Sequence, residues 1–522
     1  SEGISRTYGR YNHKRREDLQ SVYWIEKQRN KFMIEVILNQ ADFEYDIRAL
    51  IRAFFPKEEV KIRVDSFGIR NSDGLFLLEI EYLMNEIHCS FITEEKKEQC
   101  SADITGLERK EVKKTLKRLL YHWLEDYSKQ KQLWGDLTGI RPVKIVLDLL
   151  ERGESIEEAK KIFQEEYLVS DEKTALSLEI AEKEQTVIQK TSQKQGYSLY
   201  VHIPFCPSTC LYCSFTSNPI AKWKDKTNQY LDCVEKELDF IKGHMGAYTL
   251  DSVYIGGGTP TTLEPEQLER LFFMLEERFD MQSILEFTVE AGRPDSITKE
   301  KLLTLKRHQI SRISINPQTM NDATLKLIGR AHTVEDIRST FQLARECGFD
   351  CINMDLILGL PGETQKELIH TLTEVQKLKP DNLTIHSLAI KRAARLNLQM
   401  EFYEKLMDHT LEEQSNQMNL VDQCARALSM EPYYLYRQKN MAGNLENVGY
   451  AVPGKEGIYN IMMMEEQQTI LAVGAGASTK IIPKDNQLVV RVENVKDVNQ
   501  YMERLDEMIT RKKEALIQYG VI

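Results

Sequence analysis

From Tyr197 onward, short strand-like segments alternate with helical segments, and this alternation restricts the possible fold more than any other feature of the sequence. Such alternation is typical of parallel β/α units, in which a helix returns the chain to the starting edge of the sheet. Six strands are predicted, at Leu199–Ile203, Ser252–Ile255, Leu285–Val289, Arg312–Ile315, Ile352–Ile357 and Leu383–Leu388. Helices are predicted between them, for example over 227–242, 265–278, 334–346 and 364–378. The sequence therefore predicts an α/β core built as a partial (β/α)6 barrel.

The regions on either side of the barrel have different patterns. The N-terminal region predicts an α+β domain with a strand, a helix, three strands and a second helix, and the C-terminal region begins with one long predicted helix over 397–429. The predicted divisions are residues 1–32 as a polar extension or appended remnant before Met33, 33–130 as the α+β domain, 131–195 as a helical linker region, 196–395 as the barrel, and 396–522 as a C-terminal domain of mixed α/β type.

A group of three cysteines follows the first barrel strand. Cys206, Cys210 and Cys213 have the spacing C-x3-C-x2-C, which is an iron–sulfur signature. A cubane cluster is usually held by four thiolates, so three of them leave one iron free to bind another ligand. A zinc site would need a fourth Cys or His close by, and the next cysteine, Cys233, lies in a helical pattern. The spacing therefore favours a [4Fe–4S] cluster over zinc.

Composition excludes several other classes of protein. The formal net charge of -11 argues against nucleic acid as a partner, because phosphate binding needs a basic surface. The chain contains no apolar run of about 18 residues, so no membrane partner is expected. Nine cysteines scattered over 522 residues indicate reduced thiols rather than disulfides. These features predict a cytoplasmic protein.

Each of the other predicted strands also contains, near its carboxyl end, or is followed by glycine, polar or charged residues. Because the functional residues of β/α barrels lie at the carboxyl ends of the strands, we expect these residues to converge on one site. They are Gly256–Pro260, Glu290 with Arg293, Asn316–Gln318 with Arg330, Asp355, and His386 with Lys391, Arg392 and Arg395. A structural role stays open for each: a tight turn for the glycines, a surface salt bridge for Arg293, a cap for Asp355 and a solvated charge run for the cations.

Taken together, these motifs resemble the radical S-adenosylmethionine (SAM) family of oxygen-independent coproporphyrinogen III dehydrogenases, the HemN-like family, and within it the HemZ branch. The segment W-G-D-L-T-G-I-R-P at 134–142 extends the resemblance beyond the barrel. The resemblance implies that Cys206, Cys210 and Cys213 bind a [4Fe–4S] cluster and that Tyr200, Glu290 and Arg330 are catalytic. The SAM contacts that it implies are Tyr200, Tyr212, Gly257, Gly258, Thr259, Glu290, Gln318, Arg330, Asp355 and Ala389.

The resemblance also implies a reaction. Hydrogen abstraction from the propionate side chains of coproporphyrinogen III, followed by their oxidative decarboxylation, would give protoporphyrinogen IX in heme biosynthesis. The implied partners are a tetrapyrrole substrate and a reductant such as flavodoxin or ferredoxin, and we expect a monomer. One position departs from the family, because Phe215 stands where the dehydrogenases have a further cysteine. Two alternatives therefore stay open: a heme- or porphyrin-binding carrier similar to the HemW-like members, and a radical SAM enzyme with another tetrapyrrole reaction.

Overall fold

A computed structural model describes residues 33–65, 67, 74–139, 141–214, 217–389, 391, 394–399, 403, 406, 411–437, 445–483 and 488–522. The chain divides into two compact units. The first ends at Thr138 and includes Lys160–Thr174, and the second contains Gly139–Ala159 and Ala175–Ile522. Among the described residues, none of the helices is both long enough and apolar enough to cross a lipid bilayer.

The first unit contains the elements of the predicted α+β domain. Its strands are β1 (Met33–Leu38), β2 (Glu59–Val64), β3 (Phe76–Tyr82), β4 (Glu86–Ile92) and β5 (Lys97–Asp103), arranged in the order β2-β1-β3-β4-β5. Strand β1 pairs in parallel with β2 and β3, and the remaining pairs are antiparallel. The helices Glu44–Phe54 and Arg109–Ser128 contribute to the same hydrophobic core as the strands. The α+β character is confirmed.

Strand β5 was not predicted, so the expected count of three strands between the two helices is wrong. Its sequence, K-E-Q-C-S-A-D, carries no large apolar side chain, and every second residue is exposed. The strand lies at the edge of the sheet, where one face and one backbone edge remain in water. An edge strand of this composition lacks the apolar alternation on which strand prediction depends.

The six predicted barrel strands are present in the second unit. They are β6 (Gly196–Ile203), β9 (Thr249–Gly257), β10 (Glu286–Gly292), β11 (Arg312–Ile315), β12 (Ile352–Leu358) and β13 (Asn382–Ser387). Each pairs in parallel with the next strand along the chain. The short pair β7 (Phe205–Cys206) and β8 (Asn218–Pro219) forms a separate two-stranded sheet after β6. The partial (β/α)6 barrel is confirmed.

Helices accompany these strands throughout the second unit and at the junctions with the first. Their bounds are Val143–Glu151, Ile156–Glu165, Asp171–Ile188, Thr227–His244, Pro265–Arg278, Lys299–Arg307, Asp322–Leu327, Val334–Glu346 and Gln365–Leu378. Helix Gln365–Leu378 begins with a capping box, in which Thr364 and Glu367 exchange hydrogen bonds with each other's backbone.

One face of the barrel sheet is polar. Tyr200, Tyr254, Thr288 and Arg312 occupy paired positions on four neighbouring strands, so they lie on the same face. The alternate positions, such as Val253, are apolar and fully buried. Side chains on the polar face interact across intervening strands, as Glu290 on β10 does with Asp355 on β12. In a β/α barrel the helices cover the apolar outer face of the sheet, so the polar face is the inside of the barrel.

The C-terminal region extends the same sheet on both edges. Strands β14 (Glu431–Tyr436) and β15 (Asn447–Ala451) continue it beyond β13, and β16 (Thr469–Val473), β17 (Ser478–Ile481) and β18 (Val490–Glu493) continue it beyond β6. Among the described residues, the sheet therefore has 11 strands. The helices of this region are Arg395–Leu398, Leu411–Ala427, Ile458–Glu465, Val498–Glu503 and Leu505–Gln518.

The single long helix predicted over 397–429 is wrong at its N-terminal end. The short helix Arg395–Leu398 ends before Gln399, whose backbone is not helical, and the long helix covers Leu411–Ala427. The backbone N–H of Leu396 donates to the carbonyl of Leu211 in the cysteine loop at 2.9 Å, so tertiary contacts hold the short helix separately.

Candidate active site

The cysteine loop is held from two sides. On one side, the N–H groups of Gly258 and Thr259 donate to the carbonyls of Ile203 (2.8 Å) and Phe205 (2.7 Å). On the other side, the N–H of Leu211 donates to the carbonyl of Ile328 at 2.9 Å. The loop is therefore fixed by the turn after β9 and by the turn after helix Asp322–Leu327.

The glycines of the turn after β9 allow this close approach. A Cβ atom on Gly258 would lie 2.5 Å from the carbonyl oxygen of Phe205 and 2.9 Å from Sγ of Cys206. Gly257 has a φ of +113°, a conformation that favours glycine, and a Cβ there would lie 2.9 Å from the His202 ring. Gly257 thus allows the positive φ of the turn, and Gly258 leaves room for the cysteine loop to pack against it.

Hydrogen-bond donors lie beside two of the three cysteine sulfurs. The Thr259 hydroxyl lies 3.8 Å from Sγ of Cys206, and a guanidinium nitrogen of Arg293 lies 3.7 Å from Sγ of Cys210. Sulfurs with hydrogen-bond donors beside them suit thiolate ligands of an iron–sulfur cluster.

Burial alone does not activate these thiols. It raises the pKa of the Cys206 thiol, while hydrogen bonds from Ser217 and Thr259 and the charge of Arg293 act in the opposite direction. A metal ligand must be deprotonated, so positive charge and donors at this position favour the form that binds iron.

Glu290 lies at the carboxyl end of β10, beside an aromatic stack. Its carboxylate accepts a 2.6 Å hydrogen bond from the Tyr254 hydroxyl, and burial raises its pKa to about 7. The ring of Tyr254 stacks on Tyr459 with centroids 4.5 Å apart, and Tyr200 lies 6.1 Å from both rings. Tyr459 comes from helix Ile458–Glu465 in the C-terminal region, and the sequence analysis did not identify it. No strand pattern or motif marks this position, so only the fold reveals it.

Arg330 and Tyr212 lie together at the cysteine loop, and Gln318 is two residues after Asn316, which Arg330 contacts. Arg330 donates to the carbonyl of Asn316 and, at 3.3 Å, to the Tyr212 hydroxyl. Burial is the main cause that raises the pKa of Tyr212. In the described part of the chain, Nε of Arg330, Oε1 of Gln318 and Oδ1 of Asn316 are buried and have no hydrogen-bond partner. Buried polar atoms are nearly always paired, so this group has the donors and acceptors that an amino-acid-like ligand such as SAM requires.

Asp355 and His386 occupy the far side of the same concave face. Oδ1 of Asp355 accepts a 2.7 Å hydrogen bond from Asn353, and Oδ2 lies 3.7 Å from Nε2 of His386. Nδ1 of His386 lies 3.3 Å from the Tyr436 hydroxyl. Ala389 follows β13 and is half-buried. The structure therefore brings Glu290, Asp355 and His386 to one surface, where the last two influence the pKa of Glu290.

Two expected site residues behave differently from either interpretation of the sequence. Arg293 is buried and forms an ion pair with Asp295, so it is neither a surface salt bridge nor a free carboxylate contact. Arg395 donates to the carbonyl of Thr209 in the cysteine loop, 3.4 Å away. Phe215 and Arg392 lie outside the described residues.

His202 is a further site residue, and none of the sequence motifs marks it. It is buried on the polar face of β6, two residues after Tyr200, and its Nε2 has no hydrogen-bond partner among the described residues. Burial lowers its pKa to about 4, so the ring is neutral. The two-residue period of the strand was the signal that could have identified it.

Comparison with known proteins agrees with this geometry. Residues 200–375 match the radical SAM superfamily, which uses a [4Fe–4S] cluster and SAM. The oxygen-independent coproporphyrinogen-III oxidase-like protein HemZ of Bacillus subtilis (strain 168) is 40% identical over 440 residues, or 83% of this chain and 87% of HemZ. The heme chaperone HemW of the same organism is 39% identical over 195 residues, or 37% of this chain and 51% of HemW.

A solved structure supports the fold. Coproporphyrinogen III oxidase (HemN) from Escherichia coli aligns with a TM-score of 0.51 and 24% identity, covering 62% of this chain and 73% of HemN. The likeness to HemZ extends through most of both sequences and includes the cysteine loop and the barrel. This chain therefore belongs to the radical SAM family of oxygen-independent coproporphyrinogen III oxidase-like proteins.

Proposed function

We propose that this protein is a radical SAM oxidoreductase that decarboxylates the propionate side chains of a tetrapyrrole, with coproporphyrinogen III as the first candidate substrate and protoporphyrinogen IX as the product. The observation that carries the proposal is the cysteine loop packed against the glycine turn at the mouth of a polar concave sheet. The similarity to HemZ and to the E. coli oxidase supports the choice of substrate.

The protein's own residues bind and orient the reactants in this proposal. Cys206, Cys210 and Cys213 would hold the cluster, and together with SAM it supplies hydrogen-abstraction chemistry. Arg330 and Gln318 would bind the carboxylate and amino groups of SAM.

Glu290 and the aromatic stack would bind the remainder of the SAM molecule. The Glu290 carboxylate would accept hydrogen bonds from SAM, and Tyr200 and Tyr254 would border its adenosyl group. The hydroxyl of Tyr254 already donates to Glu290 and fixes its orientation. Gly257, Gly258, Thr259, Tyr212, Asp355 and Ala389 complete the proposed contacts. Tyr200, Glu290 and Arg330 are the residues that we propose as catalytic.

The substrate would occupy the part of the concave face near Asp355 and His386. Conversion of one propionate to a vinyl group releases carbon dioxide and removes one hydrogen atom and one electron from the substrate. The bound cluster and SAM would supply the chemistry that takes up the hydrogen atom, and the electron would pass to an acceptor. We further propose a monomeric enzyme that receives electrons from flavodoxin or ferredoxin.

The experiment that tests this function is anaerobic reconstitution with iron and sulfide, followed by addition of dithionite, SAM and coproporphyrinogen III. We expect formation of 5'-deoxyadenosine together with loss of two carboxyl groups from the porphyrin, which mass spectrometry detects. Deoxyadenosine with an unchanged porphyrin would retain the enzyme class and reject this substrate. A methylated or linear tetrapyrrole would indicate another reaction on the same ring system.

A second candidate is a heme or porphyrin carrier. The observation that favours it is the 39% identity to the heme chaperone HemW, although this chain spans about half the length of HemW. A carrier would form a stable stoichiometric complex with heme and would leave coproporphyrinogen III unchanged. Titration with heme, followed by gel filtration, separates this candidate from the oxidoreductase.

A further inference from the structure

Arg293 is a buried cation directly behind the cysteine loop. It follows Gly292, the last residue of β10, whose φ of +64° turns the chain toward the loop. Its side chain is 4% exposed. A guanidinium group so far from water needs several hydrogen-bond partners, because an isolated buried charge is costly. The identity of those partners shows what the residue does.

One terminal nitrogen of Arg293 serves the cysteine loop alone. It donates to the backbone carbonyl of Ser208 (3.0 Å) and to the Ser208 hydroxyl (2.9 Å). The same nitrogen lies 3.7 Å from Sγ of Cys210, within hydrogen-bond range of a sulfur atom. Arg293 thus contacts the loop at a cluster ligand and at a residue two positions before it.

The other two nitrogens of Arg293 are occupied by one carboxylate. Asp295 accepts from Nε at 2.9 Å and from the second terminal nitrogen at 2.6 Å. Nδ1 of His332, which is itself buried, lies 3.6 Å from the same carboxylate. A bidentate pair fixes the plane of the guanidinium. The remaining nitrogen is thereby directed at the cysteine loop.

We propose that Arg293 is a positioning residue that donates a hydrogen bond to the Cys210 sulfur and raises the reduction potential of the cluster, while Asp295 holds the guanidinium in place and offsets its charge. This inference rests on the proposed function, because it assumes that Cys210 ligates the cluster. Reduction adds negative charge to the cluster, so a nearby cation and sulfur hydrogen bonds stabilise the reduced form.

The pair of opposite charges makes the inference testable by sign. Removal of the cation by Arg293→Gln should shift the potential to a more negative value. Removal of the anion by Asp295→Asn, which has nearly the same shape, should shift it to a more positive value. Damage to the loop would not give opposite shifts, because a structural defect in either residue would impair the same cluster in the same direction.

The experiment compares reconstituted wild-type protein with Arg293→Gln, Arg293→Lys, Asp295→Asn and the control Arg278→Gln. Arg278 is also held by carboxylates, those of Asp239 and Glu235, but it lies on helix Pro265–Arg278 and has no described contact with the cysteine loop. Iron and sulfide content reports cluster assembly. Redox titration, with the reduced cluster followed by electron paramagnetic resonance, reports its potential.

At a potential near the wild-type midpoint, we expect the ratio of reduced to oxidised cluster to be about tenfold lower in Arg293→Gln than in wild type. This corresponds to a shift of the midpoint potential by about 59 mV for one electron. Arg293→Lys should recover part of the shift, Asp295→Asn should reverse its sign, and Arg278→Gln should match wild type. Unchanged potentials, or shifts of the same sign in Arg293→Gln and Asp295→Asn, would overturn the inference.

The experiment distinguishes a failure of the proposed function from a failure of the inference about Arg293. If wild-type protein assembles no cluster, the proposed function fails before the inference is reached. If Arg293→Gln alone loses its iron, the isosteric Asp295→Asn variant decides the sign on its own, and a shift to a more negative potential in that variant would refute the role of Arg293.

Discussion

The two ends of the barrel are both polar, but they differ in how their polar groups are paired. At the amino-terminal end, Arg312 donates to Oδ1 of Asn382 (2.5 Å) and to the carbonyl of Lys455 (2.7 Å), and it lies 3.6 Å from Glu286. The carboxylate of Glu286 also accepts from the N–H of Ile458 at 2.7 Å. The loop that provides Lys455 and Ile458 thus contributes most of the hydrogen bonds that close this end, although Nε of Arg312 has no partner among the described residues.

At the carboxyl-terminal end, several buried polar atoms lack protein partners. Within the described residues, Nε2 of His202, Oδ1 of Asn316, Oε1 of Gln318 and Nε of Arg330 have none. An unpaired buried polar group costs about 1–3 kcal/mol, and one that persists calls for a ligand or a functional reason. The comparison teaches that polarity inside a barrel does not by itself mark a site, whereas several unpaired polar atoms gathered near the cysteine loop point to one.

The largest effect is expected when a proposed cluster ligand is removed. Cys213→Ala should lose nearly all bound iron and at least about 100-fold in SAM cleavage, because each thiolate contributes directly to cluster affinity. The control is Cys347→Ala, at a half-buried cysteine just after helix Val334–Glu346. Iron analysis and deoxyadenosine formation measure both. Equal iron content in the two variants would show that Cys213 does not bind the cluster. The carboxyl-terminal end of the barrel would then lose its assignment as the functional end.

A pair of arginines tests the two ends directly. Arg312→Met should lower the free energy of unfolding by about 3–5 kcal/mol, because it leaves Glu286 buried without its cation. Arg330→Met should change the free energy of unfolding by less than about 1 kcal/mol, because Arg330 has no ion-pair partner among the described residues. The same substitution should weaken SAM binding at least about tenfold. Urea unfolding of the apoprotein and calorimetric SAM binding separate the effects. Equal stability losses would show that both ends are structural.

Gly258→Ala tests the packing of the glycine turn against the cysteine loop. An added methyl group would lie 2.5 Å from the Phe205 carbonyl, so we expect a loss of about 1–3 kcal/mol and reduced iron retention. The matched control is Gly243→Ala in helix Thr227–His244, where a Cβ meets nothing within 4 Å and alanine should stabilise by about 0.5–1 kcal/mol. Thermal unfolding and iron content are the measurements. If the two variants behaved alike, the close contact at the cysteine loop would be of no consequence.

Much of this architecture was visible in the sequence because it depends on local patterns. The barrel strands alternate apolar and polar residues, and the cysteine and glycine motifs follow directly after two of them. Glu290 was identifiable because it follows directly after a predicted strand, and Asp355 because it is an acid within an apolar run. These signals require only the two-residue period and the barrel rule.

The remainder depends on contacts between distant parts of the sequence. Tyr459 stacks on Tyr254 although 205 positions separate them, and no local pattern encodes that contact. The loop beneath Arg312 is also remote in sequence, because Lys455 is 143 positions from Arg312. The closure of the amino-terminal end and the stack beside Glu290 were therefore not predictable from either segment alone, because tertiary packing brings them together.

The smallest effect concerns the two buried carboxyl groups whose pKa values are raised by burial to about 7, Glu290 at the site and Glu465 at the end of helix Ile458–Glu465. A carboxyl group with a raised pKa in the folded state stabilises the protein fully below its unfolded pKa of about 4.5, and this contribution is lost as the pH rises through about 7. Glu290→Gln and Glu465→Gln should therefore each reduce the fall in stability between pH 5 and pH 8, which urea unfolding at several pH values measures.

SAM binding should distinguish these two carboxyl groups. If Glu290 accepts hydrogen bonds from SAM as a carboxylate, affinity should increase roughly tenfold between pH 6 and pH 8 as the group loses its proton. The Glu290→Gln variant should show no such pH dependence and should bind SAM with the lower affinity at every pH. Glu465→Gln should retain it, because both oxygens of Glu465 are buried without a partner in the described structure and belong to no proposed SAM contact. A pH dependence that survived in Glu290→Gln would assign the titration to another group and would separate Glu290 from the ligand-binding end of the barrel.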